Sequence, residues 1–431
     1  MKKIAIIMAA ALTAATASAR EWTLDECVDY AVAHNIDVAR QRLNADNGEI
    51  AVTASKDAFL PSVSGYASQG FSFGRGLTAD NTYVNRNTSS FSMGASMSLP
   101  LFQGLRAVRQ LDYSRTSLRA MLERCEEARD NVELNVIGQY LQALYAAEAV
   151  QVARLTLSIS QGELLRRQAL LEAGKIPELD IYQAKAQVAQ DELSVVNAAN
   201  DSILALLDLS QLLNLPDASD FTIAPLPDSR MPLLEPGEVF ANAMRNNHTM
   251  RAGMLEEEAA RKNIAVAQSG YIPTISFSAG LGTNYYRTSG FEQESFGQQL
   301  RHNFSKSLGF SLNVPIFDAF NTRNSVRRAR VQAVSAALQL DDSRNRLYKS
   351  IMQAYTQAEG AHKKHEAAAN TVESTRAAFD AMQVKYDNGR ANATEYDKAK
   401  NDYTQALAQQ LQAKYEAILR ARILNFYNKA D

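Results

Sequence analysis

At 431 residues and 47.4 kDa the chain has room for two or three ordinary domains. Its 45 Lys and Arg against 47 Asp and Glu leave a formal charge of −2, which excludes a basic nucleic-acid arm and an acidic solvating tail alike. Two cysteines, Cys27 and Cys125, are too few for a disulfide framework and too far apart for a CxxC box, while ten prolines leave room for long unbroken elements.

In chain order, the first element predicted is an export signal. Lys2 and Lys3 precede a mainly apolar stretch from Ile4 to Ala17, and Ala17-Ser18-Ala19 supplies the small residues that a signal peptidase needs. Residues 1–19 are therefore expected to be a signal peptide, and Cys27 lies too far inside to carry a lipid. No run of about 18 apolar residues occurs, so no helix can cross a bilayer as a conventional anchor.

Beyond the signal the chain is written twice. Phe59-Leu60-Pro61-Ser62-Val63 recurs as Tyr271-Ile272-Pro273-Thr274-Ile275, and Leu99-Pro100-Leu101-Phe102 as Val314-Pro315-Ile316-Phe317. Gly174-Lys175 recurs as Gly389-Arg390 at the same offset as the second pair, so the two copies align without a gap between those anchors. The expected organisation is a first repeat over 20–215, a linker over 216–236 rich in Pro, and a second repeat over 237–431.

Within each copy the hydrophobic period shifts between about 3.5 and 2. Period 2 marks four strands, predicted at about 61–74, 90–99, 273–286 and 304–314. In Phe91–Leu99 the odd positions read Phe, Met, Ala, Met, Leu against Ser, Gly, Ser, Ser, and Phe304–Val314 sets Leu308, Phe310, Leu312 and Val314 opposite Ser307, Gly309, Ser311 and Asn313, with Lys306 the exception. An apolar face opposed to a Ser/Gly face suits a membrane strand of about 9–11 residues. Polar loops come after the first strand of each pair, from about 74 to 90 and from about 287 to 303.

Between the second strand of each copy and its Gly, the spacing turns helical. Leu347, Ile351, Ala354, Ala358, Ala361, His365, Ala368, Val372, Thr375, Phe379, Met382 and Tyr386 keep an unbroken 4-3 rhythm, as do Val132 to Leu171 in the first copy, where Gln139, Ser160 and Arg167 interrupt it. A heptad seam of this length predicts supercoiled helices of about 70 residues, roughly 105 Å at 1.5 Å per residue.

Four strands cannot close a barrel, and an open edge in lipid leaves backbone groups unpaired. The resulting fold class is mainly α with a membrane β-barrel contribution: long coiled-coil helices plus four strands per chain, closing into a barrel and helical tube only as an oligomer. Two, three or four copies give about 8, 12 or 16 strands, all within the known range. A soluble periplasmic coiled-coil scaffold with small hairpins is the alternative from another class, since alternation alone also fits a soluble hairpin.

These features resemble the outer-membrane efflux protein family, the TolC-like channel-tunnels. The carriers are Trp22-Thr23-Leu24 with Ala31 and Asn35, Phe59-Leu60-Pro61 and Tyr271-Ile272-Pro273 before strands, and the two Pro-containing tetrapeptides after them. The resemblance implies a homotrimer with a 12-stranded barrel in the outer membrane of a Gram-negative cell and a helical barrel in the periplasm. It implies a passive duct for small molecules or proteins in tripartite efflux or type I secretion. The partners are a periplasmic adaptor protein and an inner-membrane transporter, proton-driven or ATP-driven; no nucleic acid and no cofactor are implied.

The family's helix-turn tips match Gly174-Lys175 and Gly389-Arg390, which makes Gly174, Lys175, Gly389 and Arg390 the expected adaptor-docking residues. The family's closed mouth matches a gate of Asp180, Tyr386 and Glu395, with Tyr386 bonding Asp180. Lys398 stands where the family carries a second acid, and Ala391 where it often carries an Arg. An alternative for Asp180 and Glu395 is simple charge complementarity to a helix N-terminus.

Arginines also gather just after each strand-to-helix Pro: Arg106, Arg109 and Arg115, then Arg323, Arg327, Arg328 and Arg330. Cations there oppose the helix dipole, so an anionic partner is expected, and outer-membrane lipid headgroups in a collar below the barrel would supply it; a plain solvated helix face is the competing reading. No enzyme is expected. The five His are scattered, HExxH and GxxxxGK[ST] are absent, and the GxSxG match Gly70-Phe71-Ser72-Phe73-Gly74 falls in a Ser/Gly-striped strand rather than at a nucleophile elbow.

Overall fold

A computed structural model describes residues 21–77, 80–215, 221–226 and 233–428. The expected signal peptide and part of the expected linker lie outside the described residues. In chain order the elements are β1 Glu21–Trp22, α1 Leu24–His34, α2 Ile36–Asp57, β2 Ser62–Ser72, β3 Arg75–Leu77, β4 Tyr83–Asn85, β5 Thr88–Gln103, α3 Arg106–Glu172 and α4 Glu178–Leu212. The second half holds β6 Thr222–Ile223, α5 Pro236–Asn246, α6 His248–Gln268, β7 Thr274–Thr288, α7 Phe296–His302, β8 Ser305–Asn313, α8 Asn321–Asp387 and α9 Ala393–Tyr427. The fold class agrees with expectation: mostly helix, with four substantial strands that form no closed barrel in one chain.

The chain divides into two compact units. The described residues of the first, within Met1–Arg42, Arg124–Arg251 and Ser343–Asp431, are mainly helical. Its core gathers Cys27, Ala31, Val136, Tyr140, Leu141 and Leu209 from α1, α3 and α4, Leu213 just past α4, and Leu411 and Tyr415 from α9. Tyr140 is fully buried, and its hydroxyl donates to the carbonyls of Trp22 (3.0 Å) and Ala224 (2.5 Å). Those carbonyls flank the short parallel pair β1–β6, so one phenol ties both chain segments to the core. The α1 N-terminus is set by a capping box in which Thr23 and Glu26 satisfy each other's backbone N–H.

Helices α3 and α8 each hold 67 residues, about 100 Å of rise. Every seam position of α8 from Leu347 to Tyr386 is buried or half-buried while most residues between them are exposed. On α3 the polar interruptions Ser160 and Arg167 are buried too, at 4 % and 2 % exposure.

The second unit, Leu43–Glu123 with Ala252–Asp342, carries the large sheet. Its order is β2-β5-β7-β8, antiparallel throughout, so a hairpin from each half of the sequence joins across β5–β7. β5 extends farther than its alternation indicates: it continues through Pro100 to Gln103 by a bulge between Pro100 and Phe102. A bulge is how a strand accommodates a residue that has no N–H to donate. β8 stops at Asn313, before the corresponding Pro315. Both strand-to-helix junctions then use two successive left-handed residues, Gly104-Leu105 (φ 61° and 64°) and Ala319-Phe320 (φ 52° and 63°). Three of these four carry a Cβ, at a cost of the order of 1–3 kcal/mol each.

Candidate functional site

The sheet sorts its residues by face. The pairing Val63↔Met97, Ala95↔Leu281 and Ala279↔Leu308 puts apolar side chains on one side. Leu308 and Phe310 are 77 % and 75 % exposed on it. A contiguous exposed apolar face of this extent requires hydrocarbon or a partner. The opposite face is hydroxylic. Ser64 and Ser96 lie 3.0 Å apart, Ser68 and Ser92 2.7 Å, and Ser276 and Ser311 2.7 Å between hydroxyl oxygens, so each serine pair satisfies itself across strands.

The large side chain in the middle of the hydroxyl face is Tyr66. It stands opposite Gly94, which in turn pairs with Gly282. A Cβ added at Gly94 would meet the Tyr66 hydroxyl at 3.0 Å and the Leu281 carbonyl at 2.5 Å, so the glycine makes room for the ring to lie against the wall.

The loop after β7 is polar but not structureless. It contains α7, started by a Ser295–Gln298 capping box, and Thr283 and Asn303 bond the carbonyls of Leu300 (2.6 Å) and Asn284 (2.7 Å). Phe296 of α7 packs on Phe91 (5.6 Å) and Tyr285 (5.0 Å), a cross-strand pair of the apolar face. Ser295 three residues before Gln298 was the legible signal for this helix.

In the helical unit, both long helices end in the same turn. Gly174 and Gly389 each adopt φ 70°, the left-handed conformation glycine takes without strain. Gly174 N–H donates to Leu171 O and Lys175 N–H to Leu170 O; Gly389 donates to Tyr386 O and Arg390 to Lys385 O. Both are Schellman turns. Lys175 and Arg390 are exposed, and neither has a carboxylate partner among the described residues.

The expected Tyr386–Asp180 bond does not form within this chain. Tyr386 instead stacks on Tyr396 (4.8 Å), lies under the Arg166 guanidinium (4.2 Å), and its phenol faces Glu163 and Arg167. Burial, with the hydrogen bond to Glu163, pushes that phenol above the ordinary tyrosine value. Asp180 sits in the first turn of α4, half-exposed. Glu395 also departs from a free gate acid: its carboxylate accepts the Asn392 N–H (3.0 Å) while Asn392 Oδ1 accepts the Glu395 N–H (2.8 Å), closing a capping box on α9. The cap explains that acid because the first turn of a helix has unpaired N–H groups to satisfy.

What the tip region does bring together is an ionic network on four helices, buried at Glu163, Arg167, Asp191 and Lys400 and open to solvent at Asp387 and Asp397. Arg167 Nε donates to Glu163 (2.7 Å) and its terminal nitrogen to Asp397 (3.1 Å); Arg166 pairs with Asp387 (2.5 Å). Nearby, Lys400 pairs with Asp191 (3.1 Å), which also accepts from Gln187 (2.9 Å) and the Ser160 hydroxyl. Lys400 and Asp191 are 2 % and 6 % exposed. Only Ser160 and Arg167 announced themselves in sequence, as polar residues on an apolar seam.

The seven arginines of the expected collar separate. Arg109 donates to the Ala265 carbonyl (2.8 Å) and is half-buried. That hydrogen bond takes it out of an outward-facing collar. Arg323 lies over the Phe320 ring (4.3 Å), Arg328 donates to Ser325 Oγ (3.1 Å), and Arg106, Arg115, Arg327 and Arg330 are exposed.

A sheet with one apolar and one hydroxyl face, and with both edges unpaired among the described residues, fits a wall segment of a membrane barrel. Comparison with known proteins gives the family. The model of the outer membrane efflux protein family matches residues 28–215 and again 239–424. The chain is 26 % identical to the protein CyaE of Bordetella pertussis, over 93 % of this chain and 82 % of that one. It is 24 % identical to the outer membrane protein TolC of Vibrio cholerae, over 89 % and 84 %. The Campylobacter jejuni CmeC outer membrane channel shares its fold, with a TM-score of 0.80 at 16 % identity, covering 94 % of this chain and 85 % of that one. The chain belongs to the outer membrane efflux protein family. It is a channel protein of the Gram-negative outer membrane.

Proposed function

We propose that three copies of this chain close one barrel, each contributing β2, β5, β7 and β8, and that the pore they enclose is the exit duct of a tripartite efflux or type I secretion assembly. The observation that carries this reading is the sheet itself: its edges, β2 and β8, are unpaired along an apolar face that water does not tolerate. Exposed apolar stripes support self-assembly further, with Ile36, Leu43 and Ile50 seven apart on α2 and Leu193, Val196, Ile203 and Leu207 on α4. Three copies rather than two or four is the number that membership of the outer membrane efflux protein family implies.

The two Schellman turns are the docking points for a periplasmic adaptor, with Lys175 and Arg390 as the exposed cations that an acidic adaptor surface meets; the adaptor bridges to an inner-membrane transporter. Gating in this reading falls to the Arg167–Glu163–Asp397 and Arg166–Asp387 pairs, which tie α3 to α8 and α9, rather than to a Tyr386–Asp180 bond. Asp180 and Glu395 keep a place at the mouth as first-turn charges, and Tyr386 as the ring under Arg166.

Planar-bilayer recording of the protein purified in mild detergent tests the channel. Discrete conductance steps from a three-copy particle are expected. A monomeric particle, stable in buffer without detergent and silent in bilayers, is the scaffold outcome and overturns the reading.

A further inference from the structure

Beside the α8 junction the second unit has a cleft of about 410 Å³, lined by Arg106, Asn321, Thr322, Ser325, Arg328 and Gln332, with α6 and the turn after it forming the other wall. Its chemistry is one-sided. Two guanidiniums and six uncharged hydrogen-bonding side chains, Asn263 and Ser269 included, line it, and no carboxylate does. The carboxylate close by in sequence, Asp318, is occupied: it accepts the Thr322 N–H (2.7 Å) and the Thr322 hydroxyl (2.5 Å). Asp112, farther along α3, is paired with Lys262 (3.1 Å). Arg106 has no partner among the described residues, and Arg328 has only the Ser325 hydroxyl.

A cleft offering two unneutralised guanidiniums and neutral donors fits a phosphate, the group Arg binds with charge-assisted paired hydrogen bonds. The surroundings select what carries that phosphate. The cleft lies just past the end of the strand whose apolar face is exposed, and the segment between β8 and α8 carries uncovered apolar side chains: Ile316 is 94 % exposed and Phe317 75 %. Arg323 rests on Phe320 (4.3 Å) at the same junction. A soluble phosphate compound has no use for these side chains, whereas acyl chains would cover them.

We propose that this cleft binds the phosphodiester headgroup of an anionic phospholipid, with Arg106 and Arg328 as ligands and Ile316 and Phe317 against its acyl chains. Arg109, turned inward, takes no part, and Arg115 and Arg330 do not line the cleft. The inference rests on the membrane reading of the sheet.

The test is native mass spectrometry of the detergent-purified protein, after incubation with phosphatidylglycerol, with phosphatidylcholine of the same chains, or with glycerol phosphate. About tenfold greater retention of phosphatidylglycerol over phosphatidylcholine is expected, lost in Arg106→Gln/Arg328→Gln and kept in Arg115→Gln/Arg330→Gln. Equal retention of the two lipids, or a preference that survives Arg106→Gln/Arg328→Gln, overturns the site. Glycerol phosphate displacing the lipid at equal concentration assigns the cleft to a soluble phosphate and overturns the lipid. Should the double variant fail to assemble, the lipid comparison on the unaltered protein decides alone. Bilayer conductance recorded in parallel separates the two ideas: a conducting protein without lipid preference refutes the site and leaves the channel standing.

Discussion

At the scale of single residues, the informative ones are polar groups where a seam should be apolar. Lys400, Asp191 and Ser160 form a buried, mutually satisfied set, and burial makes each dependent on the others. Lys400→Met should leave Asp191 charged and unpaired, with an expected loss of about 3–5 kcal/mol in urea unfolding followed by circular dichroism. The paired replacement Lys400→Met/Asp191→Leu should recover most of it; if it does not, the pair contributes more than its own neutralisation. Cys27 and Tyr396 give a pH signature. Burial lifts the Cys27 thiol from 9.0 to about 12 and the Tyr396 phenol from 10.0 to about 12. Both groups hold their protons more tightly folded than unfolded. Their contribution is therefore intact below about pH 9 and disappears as pH rises toward 12. A urea midpoint that falls over that window, and falls less in Cys27→Ala, is the expected result; a flat profile would contradict it.

At the scale of elements, the repeat and its periods explain most of what forms. The alternation in 304–314 and the 4-3 rhythm from Leu347 to Tyr386 are each the repeat distance of one secondary structure, and each became that structure. Two elements escaped the hydrophobic period for physical reasons. α7 has only seven residues and is held by contacts to β7 and to Phe91 and Tyr285, which no local period reports. The bulge carrying β5 past Pro100 depends on pairing with β7, a partner far away in sequence. The tip turns make a direct prediction. Gly174→Ala and Gly389→Ala force a Cβ into left-handed backbone, at about 1–2 kcal/mol each. Lower thermal midpoints are expected of both, against little change for Gly297→Ala, which lies in helical backbone with open space around its Cα.

At the scale of the whole molecule, function depends on which face of the sheet meets lipid. Phe310→Arg places a charge on the apolar face and should cost about 2–4 kcal/mol, read as lost outer-membrane insertion. Ser307→Arg, on the opposite face of the same strand, should insert normally and shift ion selectivity toward anions in bilayer recordings. The reverse pattern would mean that the hydroxyl face is outside.

Period and duplication by themselves determined a mainly helical chain with four alternating strands too few to close a barrel alone, because those conclusions need only the spacing of apolar residues and the backbone's demand for partners. The gate was not legible in that way. Whether Tyr386 meets Asp180 or Glu163, and which of seven arginines turns inward, depend on segments more than 150 residues apart in sequence. Tertiary packing decided each of them, since hydrogen-bond geometry and desolvation act over a few ångströms of space that sequence distance does not measure.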